Sequence, residues 1–209
     1  NGVNANYGLI DTYHMAASNI DEAIRNAIAV GANPERIALL DNFCWSSSDE
    51  PYRMAQLVRA CMALRDYALA FNTPFISGKD SMYNDYKGAL EGKDVKISVP
   101  PTLLISALGI IDDITQAVTM DVKKPGNVLY IVGATGDELG GSEYYAMMVT
   151  EVGRPFVGNR VPKVDAASAI QRYRAINNAI RNGYGASCHD CSDGGLGVAV
   201  EEISFSGGF

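Results

Sequence analysis

The sequence predicts an α/β protein built on mixed sheets, and three observations predict it. Two short apolar runs, at residues 36–40 and 74–76, flank a long helical pattern, the mark of a strand–helix–strand crossover. Strand-like runs then follow at 95–99 and 103–111 with no helix between them. After a turn sequence at 123–127, a new apolar run at 128–132 leads into another long helical pattern, so a second unit begins there.

Bulk properties narrow the function classes. A chain of 209 residues can bury a real core as one large domain or two small ones. Its 24 acidic residues exceed its 17 basic ones, a net charge of −7. An acidic chain without a basic stripe is a poor partner for nucleic acid or an anionic membrane. No apolar run reaches the length of a membrane span and nothing resembles a signal peptide. Four cysteines are too few for a disulfide scaffold of this size and point to a reducing, cytoplasmic setting. Cys188 and Cys191 frame His189 in a CxxC, but zinc needs more ligands, and the only other histidine is His14. With no Met at its start, and an end just after a helical pattern, the chain is expected to be a piece of a longer protein.

Each element has its own signal. Residues 1–17 show no clear period. Ser18 or Asn19 can cap a helix, with Asp21 or Glu22 three residues on, and Ile20, Ala23, Ile24, Ala27 and Ile28 recur at helical spacing until Gly31. Glu22 and Asn26 lie four apart on a face off that stripe, where they can share a cation or simply line a solvated surface. Arg25 is displaced around the helix from Glu22. Arg36–Leu40 reads as a strand ending at Asp41 and Asn42. Ser48 or Asp49 then caps a helix with Pro51 in its first turn and Met54, Leu57, Val58, Cys61, Leu64 and Ala68 as its apolar face. Asn72 and Pro74 stop it.

Next, Phe75 and Ile76 end a strand that breaks at Gly78 into a loop carrying Lys79, Asp80, Ser81, Asn84 and Asp85. Gly lets backbone approach a ligand, Lys brings a cation, Ser a hydroxyl, and Asp and Asn hard oxygens, a set that suits a phosphate with Mg²⁺. An ordinary polar loop has the same composition. A right-handed crossover makes the two strands parallel and sets Asp41 and Gly78 side by side at one sheet edge. A polar insert at 87–94 precedes strands at 95–99, 103–111 and 114–120.

The second unit starts with a strand at 128–132 and a glycine-rich loop at 133–142 that fits neither the Walker nor the dinucleotide pattern. A helix from about Asp165 shows Ile170, Tyr173, Ile176 and Ile180 at its period and stops at Gly183. Residues 188–196, CHDCSDGGL, read as a strand end turning into an apolar helix, with two Asp, one Ser and paired glycines. The two units, at 1–122 and 123–209, are expected to face a common nucleotide.

Five motifs in order, DEAIRNAIAVGANP, LLDNFCW, SGKDSMYNDY, ELGGSEYY and HDCSDGGLGVAVEE, resemble the formylglycinamide ribonucleotide amidotransferase (phosphoribosylformylglycinamidine synthase) family, which belongs with aminoimidazole ribonucleotide synthetase. The resemblance spans nearly the whole chain. It implies a synthetase N-domain, incomplete at its start, followed by the beginning of the matching C-domain, both from the second of two tandem copies. It further implies an ATP- and Mg²⁺-dependent ligase of purine synthesis that turns formylglycinamide ribonucleotide and glutamine-derived ammonia into the amidine, releasing ADP and phosphate. The implied partners are the first half of the enzyme, which carries the catalytic histidines, and a glutaminase; lone N-domain strands are expected to self-associate.

Carried onto this sequence, the resemblance assigns ATP contact to Asp41 and Gly78 and substrate contact to Ser81. Lys79 stands where single-chain bacterial members have a metal-ligating Asn, so either Lys79 contacts phosphate or Asp80 takes the metal. A second nucleotide site of the family maps its Mg²⁺ ligands onto Glu22, Asn26 and Asp190 and its ATP-contacting Ser onto Ser192. A non-catalytic nucleotide-binding half, or a small-molecule kinase of the same superfamily, are the alternatives; Ser81 in the ligase pattern argues against the kinase.

Overall fold

The computed structural model describes residues 1–148 and 156–208. Its centre is a three-stranded mixed sheet in the order β2–β1–β5, with β1 (Ile37–Cys44) parallel to β2 (Phe75–Ser81) and antiparallel to β5 (Thr102–Gly109). Two long helices, α2 (Thr12–Ala29) and α3 (Pro51–Phe71), pack on each other, and α2 also lies along β5. Strand alternation sends Ile37, Leu39 and Phe43 of β1 and Leu103 and Ile105 of β5 into the core with Met15, Ile20 and Ile24 of α2. Burying such side chains contributes about 1.5–3 kcal/mol each, which outweighs any single polar contact here. Asn19, fully buried in α2, donates to the Leu103 carbonyl at 2.7 Å and ties helix to sheet.

Several expectations change in the folded chain. The first long helix begins at Thr12, not near Ser18, because the Asp11 carboxylate caps it by accepting from the Tyr13 and His14 amides. A short helix, α1 (Ala5–Gly8), precedes it. Strand β1 carries on past Leu40 to Cys44, so Asp41 and Asn42 sit within it. Strand β2 likewise runs to Ser81, and GKDS is strand rather than loop. Pairing with β1 is what extends it, matching Asp41 with Gly78, Asn42 with Lys79, Phe43 with Asp80 and Cys44 with Ser81.

Helix α3 starts at Pro51 after Glu50, without a side-chain cap, and ends at Asn72 in the left-handed conformation. Its buried face is Gln56, Ala60, Ala63, Leu64 and Phe71, whereas Met54, Val58 and Cys61 of the expected face are exposed. Two small alanines let α3 approach α2 closely, and that approach decides which face turns in.

The polar insert at 87–94 belongs to a hairpin of β3 (Asp85–Leu90) and β4 (Lys93–Ser98). Glu91 and Gly92 both take positive φ, the two-residue turn that suits strand twist. Residues 114–116 form a 3₁₀ turn capped by Asp113 rather than a strand. The segment 128–132 is not in a strand either; its five apolar residues are 57–83 % exposed, with no partner strand beside them among the described residues. Lys124 to Asn127 do form the expected turn. Helix α4 (Glu143–Met147) is short, and α5 (Ala166–Arg181) starts where its sequence predicts, with Asp165 as its cap. Residues 188–192 form no strand, but α6 (Gly195–Gly207) follows them. No helix among the described residues is long and apolar enough to cross a membrane.

Candidate functional site

Two clusters collect the residues singled out above. The first lies across β1 and β2. A side chain on Gly78 would overlap the Asp41 carboxylate, so the missing Cβ is what lets the carboxylate lie over the neighbouring strand. Burial, and then the like charge of Asp80, hold the Asp41 carboxyl above its ordinary pKa. Burial and the same two carboxylates also push up the Cys61 thiol. Asp41, Asp80 and Cys61 therefore share the α3 side of the strands. By alternation Asn42, Lys79 and Ser81 belong to the opposite face.

On that opposite face a cleft of about 220 Å³ is bordered by Leu40, Asn42, Ser77, Lys79, Leu104 and Ser106, and Asp41 and Gly78 reach its floor. Asp80 and Ser81 do not line it. Ser81 sits at the end of β2 with its hydroxyl 3.3 Å from Asn84 Oδ1, while the Asn84 amide donates to the Ser81 and Trp45 carbonyls. The expected neighbours are thus adjacent along the backbone but divided between two faces.

The second cluster joins α2 to the 188–193 segment. Asn26 Nδ2 donates to Asp190 Oδ2 at 3.2 Å, and the Ser192 hydroxyl donates to the same oxygen at 2.6 Å. Glu22 Oε2 accepts from Asn4 Nδ2 at 2.7 Å and from the Val3 amide at 3.2 Å. Burial raises the Glu22 pKa, and the charge of Asp193 adds to that effect. The phenol of Tyr7 is raised too, by burial and then by Asp193 and Glu22. Of the four residues expected here, Asn26, Asp190 and Ser192 are joined by hydrogen bonds, while the Glu22 carboxylate, one turn before Asn26, is held by Asn4 and Val3.

The cluster also holds groups that the sequence did not mark. Arg25 reaches Asp190, with Nη1 3.7 Å from its Oδ2, and donates to the Cys191 carbonyl at 2.6 Å. Its position around the helix from Glu22 pointed away from this contact, but a long guanidinium stem spans the gap. The i,i+4 pair Asp21–Arg25, 2.8 Å apart, was the available signal. Tyr173 of α5 donates to Asp21 and fixes the other end of that pair.

Two family models match the chain in succession. The N-terminal domain family of AIR synthase related proteins matches residues 2–111, and the corresponding C-terminal domain family matches residues 124–209. The chain belongs to the AIR synthase related protein family. Similar curated members include the phosphoribosylformylglycinamidine synthase subunit PurL of Methanocaldococcus jannaschii, 36% identical over 96% of this chain and 26% of that one. The corresponding subunit of Gloeobacter violaceus is 34% identical over 98% of this chain and 25% of its own length. The chain thus spans about a quarter of the length of the curated relatives it matches. Among solved structures, T. maritima PurL complexed with FGAR superposes over 99% of this chain and 31% of that one, with a TM-score of 0.67 at 17% identity, a likeness of fold.

Proposed function

We propose that this chain is the nucleotide-binding part of an ATP-dependent ligase that converts formylglycinamide ribonucleotide and glutamine-derived ammonia into formylglycinamidine ribonucleotide, releasing ADP and phosphate. Its two units are placed at 1–122 and 123–209. The single observation that carries the reading is the hydrogen bond that closes Asp190 onto Asn26, across 164 positions of sequence. PurL relatives align along nearly all of the chain, which supports the same assignment.

In this reading Glu22, Asn26 and Asp190 hold Mg²⁺ and Ser192 contacts the nucleotide. The donor set fits a hard cation: two carboxylates and an amide oxygen, once the Asn26 side chain turns. Glu22 in particular is a carboxylate whose charge burial disfavours, and a bound cation would relieve it. The metal would supply charge neutralisation at phosphate oxygens. In the sheet cleft, Asp41, Gly78 and Lys79 meet ATP. Gly78 lets phosphate approach the backbone, and Lys79 brings a cation that needs no metal. Asp80, on the α3 side of β2 and outside the cleft, is the alternative metal ligand. Ser81 positions substrate through its hydroxyl.

ATP phosphorylates the substrate amide oxygen, and ammonia then displaces phosphate at that carbon. The remaining parts of the enzyme are its first half and a glutaminase, with the cytoplasm as its setting; the free cysteines Cys44, Cys61, Cys188 and Cys191 fit that setting.

A second reading has its own support. The cleft residues are divided between two faces, while the Asp190 cluster is assembled, as a structural nucleotide-binding half would require. Steady-state kinetics of the intact enzyme separate the two. Ser81→Ala should lower kcat/KM by roughly tenfold or more, the loss expected for one directed hydrogen bond. Asp190→Ala should act mainly on stability and assembly. Unchanged turnover in Ser81→Ala would favour the structural reading.

A further inference from the structure

The Asp190 cluster contains a cation that the chain itself supplies. Arg25 is ion-paired on one side to Asp21 at 2.8 Å and faces Asp190 on the other at 3.7 Å. Its guanidinium also donates to the Cys191 carbonyl at 2.6 Å. The Asp190 side chain is only 10% exposed and that of Arg25 29%, so both charges are largely withdrawn from water. A carboxylate in that position needs a nearby positive charge. Asn26 and Ser192 both donate to Asp190 Oδ2, but neither carries charge, and the His189 ring, 3.8 Å from Oδ1, is engaged through its other nitrogen by Glu202 at 2.7 Å. Among the described residues no group of three or more His, Cys, Asp or Glu is placed to hold a metal ion.

Asp21 is itself held by the Tyr173 hydroxyl of α5. The result is a chain of contacts from α5 through α2 to the 188–193 segment, with Arg25 at its middle.

We propose that Arg25 is a tethered counter-ion that holds the 188–193 segment on α2, and that a divalent cation reaching Asp190 must displace it. The second half of this proposal rests on the assignment of Asp190 to a metal–nucleotide site; the first half does not. A magnesium ion sits about 2.1 Å from a ligand oxygen, which would leave two cations within a few ångströms of one carboxylate. Guanidinium cannot shed its charge, so it must move. Asp21, one turn back on the same helix, is the partner that remains for it. Arg25 is thus a positioning residue, and it sets how strongly the site responds to metal.

Thermal melts without nucleotide test this. In EDTA, Arg25→Met should melt roughly 5–10 °C below the wild type, because Asp190 is left without its counter-ion. Millimolar magnesium chloride should restore most of that loss in Arg25→Met and barely move the wild type. Arg25→Lys should keep a large part of the wild-type stability in EDTA. Should Arg25→Met fold poorly, the double variant Arg25→Met/Asp190→Asn removes both charges; it should melt above the single variant and ignore magnesium. Arg25→Met melting with the wild type in EDTA, a loss that magnesium does not restore, or a double variant no more stable than the single would each overturn the proposal. Because no nucleotide is added, the outcome does not depend on whether ADP binds.

Discussion

Gly78 and Asp41 show how one missing methyl group shapes a candidate site. The carboxylate occupies the space a side chain at 78 would need, so Gly78→Ala forces one of them to move. The carboxylate is the free end of a part-exposed side chain and can rotate aside, so the cost stays within about 1 kcal/mol. Urea unfolding should show Gly78→Ala within about 1 kcal/mol of the wild type, with any loss removed by Asp41→Gly, a non-additive pair. Equal losses with and without Asp41→Gly would mean that the backbone, not the carboxylate, sets the cost. Asp41 also has a pH signature. Its folded pKa is raised, so the folded state holds this proton more tightly than the unfolded chain. The ionised form therefore costs stability above the folded pKa, and the cost disappears as pH falls through it toward the unfolded value near about 3.9. Asp41→Asn should accordingly be more stable than wild type near neutrality and lose that advantage in acid.

Among the elements, α3 tests how packing chooses a face. Its sequence offers two apolar stripes, one through Met54, Leu57, Val58 and Cys61 and a smaller one through Ala60 and Ala63, with Leu64 shared between them. Periodicity alone ranks the stripe with larger side chains first. The smaller one is buried, since close approach to α2 favours alanine. Phe71→Ala should therefore cost about 3–5 kcal/mol, and Val58→Ala, at a position 49% exposed, within about 0.5 kcal/mol of nothing. The reverse order in denaturant melts would return the helix to the face expected from sequence. The crossover was legible for a firmer reason, since handedness and parallel pairing alone put Asp41 beside Gly78. GKDS was not legible as strand, because Gly, Asp and Lys are depleted in strands and are tolerated here at a sheet edge. The run at 128–132 misled in the opposite sense. Its composition is that of a buried strand, but strand formation needs a partner and none lies beside it among the described residues.

For the whole molecule, two features bear on assembly. Strand β2 is an edge of the central sheet with most of its residues exposed, and Ile76 is 59% exposed on it. An uncovered edge of this kind recruits another chain, so the protein should self-associate, and Ile76→Lys should weaken that association. Sedimentation velocity across a concentration series checks this; a monomer at every concentration would rule it out.

The second feature is the hydrogen-bonded cluster of Asn26, Asp190 and Ser192, with Glu22 one turn away on α2, and the most direct test is the melting of the chain with ADP. A ligand that binds only the folded form at about 100 times its Kd adds roughly 2.7 kcal/mol. The predicted result is a rise in Tm with ADP and Mg²⁺ that EDTA removes, that Asp190→Ala abolishes and that Ser81→Ala leaves in place. Stabilisation that survives EDTA, or that is lost in Ser81→Ala and kept in Asp190→Ala, would contradict the assignment.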